Sequence, residues 1–184
     1  MQNVIAETET KMRKAIDALK KDLTGVRTGR ANPALLDHIK VNYYGADVPL
    51  KQIASIGVPE PRMLVVTPFD KSAAAEISKA IQSSDLGINP QQDGGVIRLV
   101  LPEPSEERRR ELVKVIKKEG EQGKISLRNI RREANDALKK QKEAKTITED
   151  DEKTQDKKVQ ELTDKYSKEI ESLLAAKEKE IMEV

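Results

Sequence analysis

Six basic residues, Arg110, Lys114, Lys117, Lys124, Arg128 and Arg131, follow one another at intervals of 4, 3, 7, 4 and 3. Intervals of three and four place side chains on one face of an α-helix. Arg132 widens the band, and only Glu121 interrupts it. On a helical wheel of about 100° per residue with Leu127 at the origin, Ile130 and Ala134 fall near −60° and −20°. Lys124, Arg128, Arg131 and Arg132 fall between roughly 40° and 140° on the same wheel. The cations therefore flank an apolar seam instead of scattering around the helix. Guanidinium forks and ammonium groups in such a row suit phosphate oxygens, and with few aromatics nearby they suit the backbone and shape of a folded RNA. Arg27 and Arg30, at the end of an earlier helical stretch, add to the basic set. A plainer reading fits the same pattern: a solvated face neutralised by an acidic neighbouring helix. The pattern alone leaves both open.

Nothing in the sequence pairs with these cations to make a catalytic centre. There is no cysteine and only one histidine, His38, which excludes thiolate nucleophiles, disulfides and multi-histidine metal sites. Gly123-Lys124 lacks the leading glycine and strand of a phosphate-binding loop. His38 reads as an ordinary strand or loop residue, and the abundant carboxylates read as solvated helix faces. No enzyme, cofactor, metal or small-molecule substrate is expected. Aromatic residues make up only 2% of the chain, too few for base-stacking modules.

The elements that must position the basic row follow from composition and periodicity. Hydrophobic and charged residues each make up 36% of 184 residues, against roughly half and a quarter in an average globular domain. That balance suits long helices needing one apolar stripe each. Charge is segregated: residues 105–145 hold 14 basic and 8 acidic side chains, and residues 146–184 hold 7 and 12. Residues 3–26 read as a helix with Met12, Ile16, Leu19, Leu23 and Val26 spaced 4, 3, 4 and 3, a bundle seam. A second helix starts after Ser105 with stripe residues Leu112, Ile116, Leu127, Ile130, Ala134 and Leu138. Gly120 and Gly123 weaken it, but small residues also admit a neighbouring helix, and one continuous helix is the favoured reading. A third helix begins at Thr148, with Asp151 in the capping-box position.

All eight prolines lie in residues 31–104, where the texture turns to short alternating runs. Strands are predicted around 39–43, 48–50, 53–58, 63–67 and 97–101, with a turn at Gly45-Ala46-Asp47 and another at Asp93-Gly94-Gly95. A short helix capped by Asp70 runs through Ser84, and Gly87 sits where a C-cap glycine belongs. The matching stripes of the three helices close across this region. The expected architecture is therefore α+β with two domains: an elongated antiparallel three-helix bundle, residues 1–30 and 105–184, and an inserted small β/α/β domain, 31–104. Helices of about 40 residues span roughly 60 Å, so the bundle is a rod. Two chain crossings, at Gly29-Arg30-Ala31 and Glu103-Pro104-Ser105, are where a hinge would sit. No apolar run approaches the ~18 residues of a membrane helix, and no signal core opens the chain; the protein reads as soluble, cytoplasmic and, as an RNA-docking rod, monomeric.

Several runs together resemble one family. Arg27-Thr-Gly-Arg30-Ala-Asn-Pro-Ala-Leu-Leu-Asp37 followed by Val41-Asn-Tyr-Tyr-Gly45 is similar to the hinge and first strand of the ribosome-recycling factor family. Ser84-Asp-Leu-Gly-Ile-Asn-Pro90, Leu101-Pro-Glu-Pro-Ser-Glu-Glu-Arg-Arg109 and Arg128-Asn-Ile-Arg-Arg132-Glu-Ala-Asn-Asp136 resemble the rest of its inserted domain, the return into the bundle and the basic helix. The first dozen residues and the Gln91–Gly95 turn match less well. The resemblance implies a bundle and a β/α/β domain arranged as an L, similar in outline to tRNA. It implies a non-enzymatic translation factor that acts after termination with elongation factor G to split the ribosome from the message into subunits. The bundle would lie on large-subunit ribosomal RNA, and the inserted domain would swing about the hinge and meet elongation factor G. By position in the motifs, Arg109, Arg128 and Arg131 would contact the ribosome, while Arg27, Gly29 and Arg30 would lie at the bundle–hinge end. Arg110, Lys117, Lys124 and Arg132 complete the expected ribosome-binding set. A coiled-coil adaptor or protein holdase, and a general RNA chaperone, are the competing readings.

Overall fold

A computed structural model describes residues 3–183; residues 1, 2 and 184 of the expected bundle lie outside them. The chain forms two compact units. One comprises the N-terminal stretch through Arg27 and resumes over Glu107–Met182; the other comprises Thr28–Glu106 with Glu183. No helix among the described residues is long and apolar enough to cross a membrane.

The first unit is built from three helices: α1 (Val4–Gly25), α4 (Glu106–Glu143) and α5 (Glu149–Glu183). Asn3 caps α1 by accepting from the Ala6 amide at 3.2 Å. Val4, Thr8, Met12, Ile16, Leu19 and Leu23 form its buried stripe. The buried stripe thus starts at Val4, eight residues before the Met12 read from the sequence, and neighbouring Ile5 is only half-buried. Helix α4 is unbroken for 38 residues, about 57 Å at 1.5 Å per residue. The glycine stretch inside it is a contact, not a break. A methyl group placed on Gly120 would lie 2.3 Å from Leu174 Cδ1 of α5. Helix α5 opens with the predicted capping box. Asp151 Oδ2 accepts from the Thr148 amide (3.0 Å) and hydroxyl (2.7 Å), and the Asp151 amide donates to Thr148 Oγ1 at 3.1 Å. These bonds hold the Asp151 carboxyl below its ordinary range.

Cross-helix pairs fix the directions. Lys117 meets Glu178, Lys124 meets Glu171 and Lys142 meets Glu152, so α4 and α5 run antiparallel. Lys20–Glu169 and Lys165–Glu9 tie α1 to α5. Two threonines, Thr8 and Thr163, are buried in the seam. Each returns its hydroxyl to the carbonyl four residues back, Val4 and Val159, at 2.7 and 2.8 Å, so neither hydroxyl is left unsatisfied. Tyr166 is buried beside them, with its hydroxyl 3.5 Å from Glu9 Oε1.

The second unit holds β1 (Lys40–Tyr43), β2 (Ala46–Pro49), α2 (Leu50–Ile53), β3 (Ala54–Glu60), β4 (Met63–Pro68), α3 (Ala74–Gln82), β5 (Gln91–Asp93) and β6 (Val96–Val100). Strands β1 and β2 form a hairpin; the others form an antiparallel sheet ordered β3-β4-β6-β5. Leu64, Val66, Ile97 and Leu99 point to one face, where Ile77 and Ile81 of α3 cover them. Several details depart from the sequence reading. The first hairpin turns at Tyr44-Gly45, with φ of 49° and 85°, one residue earlier than read, because two consecutive positive-φ residues match the twist of paired strands. Leu50 starts a helical turn instead of ending a strand. Gln91–Asp93 pairs with β6 across Gly94-Gly95, where only a turn was expected. Asp70 caps a 3₁₀ turn, Lys71–Ala73, ahead of α3, and α3 stops at Gln82, five residues before Gly87. Tyr43 and Tyr44 stack edge to face, 4.6 Å between centroids, and both hydroxyls donate to Asp70 Oδ2 at 3.3 Å. Burial and the Asp70 charge push the Tyr43 hydroxyl's pKa up.

Candidate nucleic-acid interface

Helix α4 carries the basic row because its buried stripe, Leu112, Ile116, Gly120, Leu127, Ala134 and Leu138, takes one side and leaves the adjoining flank to water. Arg110, Lys117, Arg128 and Arg132 are exposed, and Lys124 and Arg131 are half-buried. Lysines and arginines are then used differently. Lys117 and Lys124 reach across to α5, 3.6 Å from Glu178 and 3.1 Å from Glu171. Arg128 instead pairs with Glu121 of its own helix at 3.2 Å. Arg131 donates to the neutral amide of Gln160 at 3.3 Å, and that amide donates in turn to Asp164 at 2.8 Å. Arg132 has no ion-pair partner among the described residues. The acidic final helix therefore neutralises Lys117 and Lys124 and leaves Arg131 and Arg132 without a carboxylate partner.

Arg109 stands apart. Eighteen positions before Leu127, it completes whole turns and points along the buried stripe. It is half-buried, and its Nη1 donates to the Met182 carbonyl at 3.0 Å. A cation there also meets the negative end of the α5 dipole. Motif position put Arg109 among the expected ribosome contacts; its side chain lies at the helix–helix seam.

Arg27 and Arg30 are exposed and lie beyond the end of α1. Between them Thr28 is buried, its Oγ1 accepting from the Arg30 amide at 3.4 Å, and Gly29 takes φ 84°, a conformation open to glycine at little cost. Ala31 is buried and its amide donates to the Pro61 carbonyl at 2.7 Å. On the return crossing, the Leu101 amide donates to the Arg62 carbonyl at 2.8 Å, and Glu103 pairs with Arg62 at 3.4 Å. Pro104 is half-buried and Ser105 exposed, both outside regular structure. Sequence reasoning missed the part played by Pro61 and Arg62, since nothing local in Glu60-Pro-Arg62 signals a contact with residues 30 positions before and 40 after.

Comparison with known proteins adds a separate line of observation. A family model described as Ribosome recycling factor matches residues 19–182. A ribosome-recycling factor of Caldicellulosiruptor bescii is 55% identical over 184 residues, covering the whole of both chains. Those of Bacillus subtilis and Brevibacillus brevis are 53% and 52% identical over 183 residues, spanning all of this chain and 99% of each relative. Among solved structures, a solution structure of the ribosome recycling factor superposes with a TM-score of 0.76 at 44% identity, covering 100% of this chain and 97% of that one. A second, at TM-score 0.65 and 45% identity over 98% and 97% of the two chains, comes from models for the T. thermophilus ribosome recycling factor and the E. coli elongation factor G bound to the E. coli post-termination complex.

Proposed function

The chain belongs to the ribosome recycling factor family, and on that premise we propose how its residues carry out ribosome recycling. It acts on the post-termination ribosome together with elongation factor G, releasing the ribosome from the message and parting the subunits for reuse. It works in the cytoplasm as a monomer, without cofactor or catalytic step of its own; the GTPase supplies the energy.

The bundle grips large-subunit ribosomal RNA through the flank of α4. Arg110, Arg128, Arg131 and Arg132 supply phosphate contacts, with Lys117 and Lys124 beside them and Arg27 and Arg30 at the hinge end. Arg109, committed to the α5 terminus, contributes by holding the end of the bundle in shape. The observation that carries this reading is the division of labour along α4: Lys117 and Lys124 are tied to α5 carboxylates, while Arg131 and Arg132 are left unneutralised beside the buried stripe. Helix packing keeps the bundle stiff, so a push delivered through the inserted unit reaches the gripped RNA instead of being absorbed. The crossings at Gly29-Arg30-Ala31 and Glu103-Pro104-Ser105 act as the hinge, letting the inserted unit change orientation while the bundle stays bound.

Sedimentation of the chain with large subunits across a salt series tests the grip. Binding weakens steeply with salt, as polyanion contacts require. Arg131→Gly lowers the affinity and reduces the salt slope by about one contact while circular dichroism shows intact helicity. Unchanged affinity at physiological salt removes Arg131 from the interface, and equal binding to unrelated structured RNA favours a general RNA chaperone.

A further inference from the structure

The two crossings are separated by some 70 residues of sequence, yet both are fastened to neighbouring carbonyls of one tight turn. Pro61 O accepts from Ala31 N at 2.7 Å, and Arg62 O accepts from Leu101 N at 2.8 Å. The second bond continues the β4–β6 ladder one step beyond Met63 opposite Val100. The first lies outside any strand ladder. Arg62 then reaches past Leu101 to Glu103, its Nη1 3.4 Å from Oε2. Ala31 and Leu101 are buried, whereas Gly29 carries a positive φ and Pro102 to Ser105 lie outside regular structure.

We propose that the Pro61-Arg62 turn is a clamp on both crossings, with Arg62 as the positioning residue that confines the hinge's play to the links outside Ala31 and Leu101. Without the clamp each crossing would fray into the inserted unit, and the two would pivot about different points. With it they share one fulcrum, so the unit turns as a whole and force is not lost in stretching one strand against the other. The inference rests on the hinge assigned above and adds the part that defines its ends.

The test uses the full chain with spin labels on Lys79→Cys and Lys168→Cys, both exposed positions in α3 and α5; the chain has no native cysteine to interfere. Distance distributions and amide exchange are recorded for the parent, Arg62→Ala, Arg62→Lys, the charge swap Arg62→Glu with Glu103→Arg, and a chain with one glycine inserted between Pro61 and Arg62. Removing an exposed pair raises exchange at the Ala31 and Leu101 amides together by roughly two- to fivefold and broadens the distance distribution. Arg62→Lys and the charge swap narrow it again, a recovery that a merely structural arginine would not give. The inserted glycine, which displaces one carbonyl from the other, broadens it most. Exchange elsewhere in the β3–β6 sheet stays at parent values. A distribution of parent width in both Arg62→Ala and the insertion chain overturns the clamp. A parent distribution that is single, narrow and unchanged on the ribosome removes the hinge itself, and the clamp with it; that outcome is read on the unaltered backbone and so is distinct from the first.

Discussion

Leu64, Val66, Ile97 and Leu99 in the inserted unit come from strands some 30 residues apart, and all are fully buried. The bundle's seam comes from residues three and four apart on each helix, is interrupted by Gly120 and includes two hydroxyls. The inserted unit is thus held by nonlocal pairing around a small apolar centre, and the bundle by long, locally specified stripes with a wide charged periphery. The contrast shows how one chain can join a sheet-built unit to a long helical one. The sheet confers shape without needing its surface, whereas the helices leave most of their surface free for charge.

The sharpest way to break this comparison is Leu64→Ala. Truncating a fully buried leucine costs about 2–5 kcal/mol, and because the cores are separate the loss falls on the inserted unit. Thermal melts followed by circular dichroism should show an early, small transition and a helical transition at the parent temperature; a single shifted transition would mean the units fold as one. Next in size, Gly120→Val forces a branched side chain against Leu174 and costs about 1–3 kcal/mol, lowering the helical transition alone. Its counterpart in β3, Gly57→Ala, has open space at the added carbon and should leave the melting temperature unaltered within experimental scatter.

A smaller effect separates the two kinds of cation on α4. Lys124→Gln removes a partly exposed cross-helix pair, worth about 1 kcal/mol, and should change stability slightly. Arg132→Gln should instead lower large-subunit affinity several-fold and flatten the salt dependence by about one contact. Equal affinity losses in the two variants would erase the distinction drawn between tied lysines and available arginines. Smallest is the pH response of the α5 cap. Donors from Thr148 depress the Asp151 carboxyl, so its contribution is present above the unfolded carboxylate value and is lost as pH falls through the lower folded one. The stability difference between the parent and Asp151→Asn should therefore be seen at neutral pH and shrink below about pH 4, as melting temperatures taken from pH 7 to pH 3 would report.

What the sequence made legible follows the same division. The stripes, the Thr148–Asp151 box and the permissive role of Gly120 are local signals, and residue spacing carries them. The inserted unit was legible as a texture but not in register. Tyr44 in a positive-φ turn, the Leu50 helical turn and the strand at Gln91 depend on pairing with distant residues, which override local preference. The basic row was visible as a row, but its partition between Glu171, Glu178 and Gln160 was not, because it depends on the register of α5 against α4. Arg109 shows the limit most clearly: adjacent to Arg110 in sequence, it points 100° away and serves the seam. The carbonyls of Pro61 and Arg62 lay furthest from view, since backbone acceptors leave no mark in residue type.

The placing of the tyrosines has an optical consequence. With no tryptophan in the chain, ultraviolet emission comes from Tyr43 and Tyr44, side by side over Asp70, and from Tyr166, shut inside the helices. Converting the first two to phenylalanine leaves one fluorophore that reports only on the bundle, and converting Tyr166 leaves a pair that reports only on the other unit. Each half of the molecule can then be followed by its own light, without any added dye, while it sits on a ribosome whose proteins are the remaining background.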